Sequence, residues 1–279
     1  MSFSNVVKII TPYIRISRPL TQVSQTQILI GYLFGSGGIY SATELLTILQ
    51  VMAALFVTYT GIYSFNDVID ADLDRKHTKK KIGRMIAANR ISKQNGMLYA
   101  AFCVLAGLAW GLNLSPKVFV LQSSLLTINF LYSLWFKHIK FVDILLNSIT
   151  HPVRAFIGVS LTGLPLLNYA PFFLIHLILA ISSTTIRRYR EIVSDNIEAR
   201  PVLKKYTKRE LIYISHTAFY IGALGLIATQ DLIPLYIKLL SILYPLCTVF
   251  LYERSSFVKQ IMNNWYYGCN AGDNKTFRA

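Results

Sequence analysis

The sequence is poor in charge. Of its 279 residues only 15% are Asp, Glu, Lys or Arg, against about 25% in a typical soluble domain. With 53% apolar residues and a mean hydropathy of +0.45, this argues against a soluble globular enzyme, a disordered chain and a coiled coil. Cysteine is scarce too. Cys103, Cys247 and Cys269 are too few and too scattered for a disulfide framework or a zinc site. No low-complexity tract interrupts the chain, and residues 1–18 lack the continuous apolar stretch and cleavage site of a signal peptide. What is abundant is apolar sequence in blocks of about 20 residues, the length that crosses a bilayer as a helix. The expected fold is all-α, a polytopic transmembrane helical bundle.

Eight blocks carry the signal: Val23–Tyr40, Leu45–Phe65, Leu98–Leu112, Val118–Phe136, Ile144–Leu161, Ala170–Ile186, Ile212–Ala228 and Ile233–Leu251. Before them, residues 4–16 read as an amphipathic interfacial helix with Val6, Val7, Ile9 and Ile10 on its apolar side. After them, residues 255–279 read as a polar tail, and the chain 1–279 as a single integral-membrane domain. Eight spans place the connections alternately on two sides. One side then holds 25 of the 28 Lys and Arg residues, while Lys117 and Lys238 lie opposite and Arg154 sits within a span. Such asymmetry is the positive-inside rule, and it predicts that both termini and both long loops are cytoplasmic. The net charge of +15 is thus topological, and a nucleic-acid partner is not expected.

The first long loop opens with Asn66-Asp67-x-x-Asp70-x-Asp72-x-Asp74, four of the thirteen acidic residues within eight positions. On a continuing helix Asp67, Asp70 and Asp74 share one face. Like charges at a membrane boundary repel and are costly to desolvate unless a hard divalent cation neutralises them. Carboxylates with one amide oxygen suit Mg²⁺, which completes its shell with waters and substrate phosphates. A solvated acidic helix end is the alternative. Against it, the cluster lies on the strongly basic side and runs directly into Arg75, Lys76, Lys79, Lys80, Lys81 and Arg84.

The second loop begins Arg187-Arg188-Tyr189-Arg190-Glu191-x-x-x-Asp195. Glu191 and Asp195 are four apart, one helical face and a second carboxylate pair able to hold a metal. Arg187, Arg190, Lys204 and Lys205 suit phosphate oxygens, although a basic juxtamembrane stretch also serves topology or anionic headgroups. Two such clusters facing each other would bind a diphosphate through Mg²⁺ and neutralise it as it leaves. A membrane location makes at least one substrate a lipid, most simply an isoprenoid phosphate or diphosphate.

The pattern Asn66-Asp67-x-x-Asp70-x-x-x-Asp74 resembles the first signature of the UbiA-type intramembrane prenyltransferase superfamily, and Glu191-x-x-x-Asp195 a variant of its second. The likeness runs over residues 15 to 255. It is nearest to the decaprenyl-phosphate phosphoribosyltransferase-like branch, through Arg84–Ala88, Leu131–His138, Val142-Asp143 with Arg154–Gly158, and Arg188-Tyr189-x-Glu191 followed by Arg200–Thr207. The resemblance implies that Asp67, Asp70, Asp74, Glu191 and Asp195 bind Mg²⁺ on a departing diphosphate, with Asn66 as a further ligand or orienter. Lys137, Arg188 and Lys204 are then candidate phosphate contacts, Asp143 and Tyr189 candidate substrate residues, and Lys80, Lys81 and Arg84 a candidate lid. The reaction implied is phosphoribosyl transfer from phosphoribosyl diphosphate to a polyprenyl phosphate, or transfer of a prenyl group from a prenyl diphosphate. The superfamily's bundle has nine spans, so the ninth is expected to be missing here. A transporter or lipid-binding scaffold is the non-enzymatic alternative, but it predicts polar breaks at mid-membrane rather than clusters at one edge.

Polar residues within spans form a separate group. Arg154 is expensive in lipid and is expected to face the bundle interior, holding ligand or backbone carbonyls. Asp143 lies eleven residues earlier, about 16 Å along a helix, so the two cannot meet one small ligand. His176 and His216 are expected at helix interfaces.

Overall fold

The structure is a computed structural model that describes residues 3–77, 80–163, 165–194, 197–198, 200–229, 233–252 and 254–267. Its helices are α1 (Phe3–Ile16), α2 (Thr26–Ser36), α3 (Ala42–Ile69), α4 (Lys93–Leu114), α5 (Pro116–Leu134), α6 (Val142–Ser160), α7 (Ala170–Val193), α8 (Lys208–Ala228), α9 (Leu235–Leu246) and α10 (Ser256–Tyr267). Short helical turns link several of them, and no strand occurs among the described residues.

Local sequence explains where the long helices begin. The Glu44 amide donates to Ser41 Oγ at 3.1 Å while Glu44 Oε2 accepts from the Ser41 amide at 3.2 Å. This reciprocal cap starts α3 and is worth about 1 kcal/mol. Thr207 and Glu210 start α8 in the same way. Pro116 follows the Ser115 cap of α5, where a missing amide proton costs nothing.

Among the described residues, five helices are long and apolar enough to cross a bilayer: Ala42–Ile69, Lys93–Leu114, Pro116–Leu134, Leu167–Val193 and Lys208–Ala228. Leu235–Leu251 and Ser256–Asn263 qualify only together, as a bent pair. The other two expected blocks differ for physical reasons. Val23–Tyr40 yields a short 3₁₀ turn and the 11-residue α2, stopped by Gly37 in the left-handed conformation (φ 74°). Ile144–Leu161 becomes α6, whose Asp143, Pro152 and Arg154 are buried. The presumed polar tail starts with α10, whose Met262 is buried.

Packing follows the small residues. A Cβ on Gly31 of α2 would overlap the Ala155 carbonyl of α6, and one on Gly158 the Ile28 carbonyl. The two helices therefore touch backbone to backbone. One core joins α2, α3, α5 and α6 through Ile28, Val51, Leu55, Tyr59, Leu125 and Ile157. A second joins α7, α8 and α9 through Phe172, Leu179, Phe219, Leu226 and Ile237. Leu98, Phe102, Leu105, Leu224 and Ile227 face outward from α4 and α8, as apolar side chains do where lipid is the solvent. Ile9, Ile10 and Ile14 of α1 are exposed too, in keeping with an interfacial helix.

Candidate active site

A cavity of about 500 Å³ runs between these two cores, lined by side chains of α2, α3, α5, α6, α7 and α9. Its position follows from helix length. At 1.5 Å per residue, the 28 residues of α3 extend about 42 Å, beyond a hydrocarbon layer of about 30 Å. The C-terminal turns of α3, which hold Asn66 and Asp67, therefore reach the edge of the apolar layer.

The first acidic motif does not form the single stripe expected of it. Helix α3 ends at Ile69, Asp70 caps it with φ −91° and ψ 0°, and a separate turn covers Ala71–Asp74. Asn66, Asp70 and Asp74 line the cavity. Asp67 turns away into the protein, paired with Arg18 and, at 3.9 Å, with Arg84. Its Oδ2 is buried without a hydrogen-bond partner. Lys137 pairs with Asp70, Lys80 holds Asp74 at 3.0 Å, and Ser133 donates to Asn66 Oδ1 at 2.5 Å. Burial works against the Asp74 charge, but Lys80 and Arg84 outweigh it and hold the carboxyl below its ordinary pKa. Asp72 points outward to Arg75 and Lys93.

From the opposite wall, α7 supplies Arg187, Arg188 and Glu191. Arg200 Nε lies 2.9 Å from Glu191 Oε2, and Arg188 Nη1 lies 3.5 Å from the same oxygen. Both guanidinium groups donate to the Tyr132 hydroxyl, at 2.9 and 3.1 Å. Burial opposes the Arg200 charge, yet Glu191 and then Tyr132 raise its pKa well above the ordinary value. Helix α7 stops at Val193, and Asp195 lies outside the described residues, so Glu191 alone represents the second motif.

The remaining expected residues separate. Asp143 is fully buried behind the cavity wall, accepting from Arg188 Nε at 2.8 Å and from the Tyr206 hydroxyl at 2.5 Å. It positions Arg188. Tyr189 packs on apolar clusters instead of the cavity, and Lys81 and Lys204 are exposed. Lys80 and Arg84 do reach the cavity. The loop that bears them is anchored by buried Met85, Ile86 and Ile91 against Ile16, Val68 and Ala71. His77, buried in this loop, has its pKa pushed down to about 4 by burial and then by Lys80. The Lys80 amide donates to its Nδ1 at 3.3 Å, which requires that nitrogen to be deprotonated.

Arg18, Tyr132 and Arg200 were not anticipated as site residues. Arg18 has a signature only in the backbone, φ +50° immediately before Pro19, a conformation rare outside glycine. Its guanidinium lies 4.6 Å from the Tyr63 ring. Arg200 sits within the Arg200–Thr207 stretch, but nothing in the sequence aims it at Glu191.

Among the described residues, no three His, Cys, Asp or Glu side chains converge as a ready-made metal cage. The donor set still fits Mg²⁺, which takes one or two carboxylates and completes its shell with water and phosphate oxygens. Asp70 and Asp74 on one wall and Glu191 on the other supply hard oxygen donors, whereas Asp67, expected as a ligand, is not among the lining residues.

A model of the UbiA prenyltransferase family matches residues 26–260. The chain belongs to the UbiA prenyltransferase family. It is an integral membrane protein of the helical kind. Over 184 residues it is 27% identical to decaprenyl-phosphate phosphoribosyltransferase of Mycobacterium tuberculosis, covering 64% of this chain and 60% of that one. Over 106 residues it is 34% identical to protoheme IX farnesyltransferase of Thermofilum pendens, 36% of each chain. The matched part spans 28% to 60% of the length of these and another curated relative. A UbiA homolog from Archaeoglobus fulgidus, solved with GPP and Mg²⁺, superposes with a TM-score of 0.70 at 18% identity, covering 87% of each chain. That likeness establishes the fold.

Proposed function

We propose that this UbiA-family member is a Mg²⁺-dependent membrane transferase that displaces diphosphate from an activated donor, with an isoprenoid lipid as one substrate. The observation that carries the reading is that the carboxylates of two loops far apart in sequence line one cavity, with basic side chains alternating among them. Bound Mg²⁺ supplies charge neutralisation to the diphosphate as it leaves. The chain's own groups do the rest. Asn66, Asp70, Asp74 and Glu191 orient the diphosphate and its metal, with Asp195 as a further metal ligand and Asp67 holding Arg18 and Arg84 in place behind them. Lys80, Lys137, Arg187, Arg188 and Arg200, now paired with carboxylates or beside them, exchange those partners for phosphate oxygens. Lys81 and Lys204, both exposed, are the remaining contacts for incoming phosphate groups, and Tyr189 packs on the apolar clusters beside the second motif. The walls exclude water from an electrophilic carbon that it would otherwise capture.

The donor we favour is phosphoribosyl diphosphate, with a polyprenyl phosphate as acceptor. The support is the match to the phosphoribosyltransferase over 184 residues, together with the abundance of cations available to a substrate pair carrying several phosphates. The second reading, prenyl transfer from a prenyl diphosphate to an aromatic or other acceptor, is supported by the farnesyltransferase match and by apolar lining at Ile30, Leu146, Leu179 and Leu243. In both readings one undivided domain carries the reaction, with both termini and both acidic loops cytoplasmic.

A donor screen on purified protein in detergent with Mg²⁺ separates them. Phosphoribosyl diphosphate and a set of prenyl diphosphates are compared by diphosphate release in the presence of a polyprenyl phosphate or an aromatic acceptor. Release from phosphoribosyl diphosphate alone supports the first reading, and release from prenyl diphosphates alone the second. Release from neither contradicts both.

A further inference from the structure

The cavity has a second polar end. Arg154 of α6 is 4% exposed, lines the cavity, and pairs with no carboxylate among the described residues. Its Nη1 donates to its own helix, to the Thr150 carbonyl at 3.3 Å and the Thr150 hydroxyl at 3.4 Å, and its guanidinium lies 4.4 Å from the ring of Tyr59, whose hydroxyl it also bonds. Arg154 Nε is buried without a partner. So are His176 Nδ1 of α7, Ser241 Oγ of α9 and Gln27 Oε1 of α2, and all four residues line the same cavity. His176 and Ser241 are more than nine-tenths buried.

This region lies away from the acidic motifs. Tyr59, under the Arg154 guanidinium, precedes Asn66 by seven residues on the same helix, about 10 Å. Arg154 itself is about 16 Å along α6 from Asp143, which anchors Arg188 at the other end.

A buried guanidinium that braced the bundle would bond the carbonyls of neighbouring helices. Arg154 bonds its own turn and Tyr59 but reaches no carbonyl of another helix in the bonds observed, and the polar atoms that Gln27, His176 and Ser241 bring to the cavity stay unmatched. An uncompensated charge at membrane depth is costly and calls for a counter-ion. We infer that this inner end is an oxyanion-binding pole, built on Arg154 with His176, Ser241 and Gln27. It takes a phosphate monoester or carboxylate carried by a substrate at its end remote from the diphosphate. The inference rests on the proposed transferase reading only for the word substrate, because the pole's chemistry is independent of the Mg²⁺ end.

The test uses the full-length protein in detergent with Mg²⁺ and measures dissociation constants. The probes are ribose 5-phosphate, farnesyl phosphate and 4-hydroxybenzoate, each against its neutral counterpart (ribose, farnesol, phenol), with inorganic diphosphate as probe of the acidic end. At least one anionic probe is expected to bind more tightly than its neutral counterpart. Arg154→Gln should weaken it by about tenfold or more, the scale of a hydrogen bond to a charged group, and Arg154→Lys should restore part of the loss. Diphosphate binding should change by less than about twofold. Which probe responds identifies whether the oxyanion is borne by a soluble sugar phosphate, a lipid or an aromatic acid. If Arg154→Gln does not fold, His176→Ala and Ser241→Ala carry the same comparison, each expected to weaken the anionic probe selectively. No Arg154-, His176- or Ser241-dependent binding by any anion overturns the inference, and so does equal weakening of diphosphate. Failure of diphosphate to bind the wild-type protein would instead count against the transferase reading.

Discussion

Asp67 and Asp70 belong to one sequence motif and do different work. Asp70 opens on the cavity with Lys137 at its side, whereas Asp67 is 2% exposed between Arg18 and Arg84. Removing the charge from a buried pair leaves its partners uncompensated, at about 3–5 kcal/mol. Asp67→Asn is therefore expected to lower the Tm of the detergent-solubilised protein clearly. Asp70→Asn should leave Tm nearly unchanged while cutting diphosphate release more than tenfold, about 1.4 kcal/mol of transition-state stabilisation. Equal Tm losses in the two variants would show that the distinction is wrong. The sequence displayed both carboxylates but not this division. Spacing gives a helical face only while the helix continues, and α3 breaks at Asp70.

His77 carries a pH dependence of its own. Folded, its pKa is about 4; in an opened loop it returns to about 6.5. The opened loop then binds more protons between those values, so closure weakens as pH falls from about 6.5 towards 4. Proteolysis of the segment around Lys81 should accelerate across that window in the wild type and lose its pH dependence in His77→Gln. A pH-independent wild-type rate would remove His77 from any control of the loop.

At the scale of elements, the helices were legible and their roles less so. Hydropathy blocks identify α3, α4, α5, α7 and α8 because each is apolar over a full bilayer crossing. They misjudge α2, stopped early by Gly37, and give no hint of α10, because a 12-residue helix with a polar face has no bilayer-length run. The α2–α6 contact is invisible in composition, since it depends on two glycines meeting backbones. Gly158→Val should separate these helices by the width of a side chain and pull Gln27 off His151, to which it is bonded at 2.7 Å. The expected outcome is a large fall in Tm and in yield of monodisperse protein, because the added side chain would meet the Ile28 carbonyl. A Gly158→Val protein as stable as wild type would mean the helices are not packed as described.

At the scale of the whole molecule, the distribution of Lys and Arg predicts that both acidic loops lie on one side of the bilayer. In a background lacking the native cysteines, Lys81→Cys and Lys204→Cys should react with a membrane-impermeant thiol reagent from the cytoplasmic side only, and Asn113→Cys only from the other. All three are exposed positions. Labelling of the first two from opposite faces would place the acidic loops on different sides of the bilayer. Residue spacing alone does not bring those loops together, and only the family resemblance implied that they meet. Asp70 and Glu191 are separated by 120 positions, and only the packing of α3 and α7 around one cavity brings them to opposite walls. The central claim is that they hold one diphosphate between them, and a double-mutant cycle with Asp70→Ala and Glu191→Ala, read as affinity for inorganic diphosphate in saturating Mg²⁺, tests it. Residues acting as a unit are non-additive, so either substitution alone should remove most of the binding and the pair little more, with a coupling of at least about 1.4 kcal/mol. Losses that add to within about 0.5 kcal/mol would show two independent carboxylates and contradict the shared site.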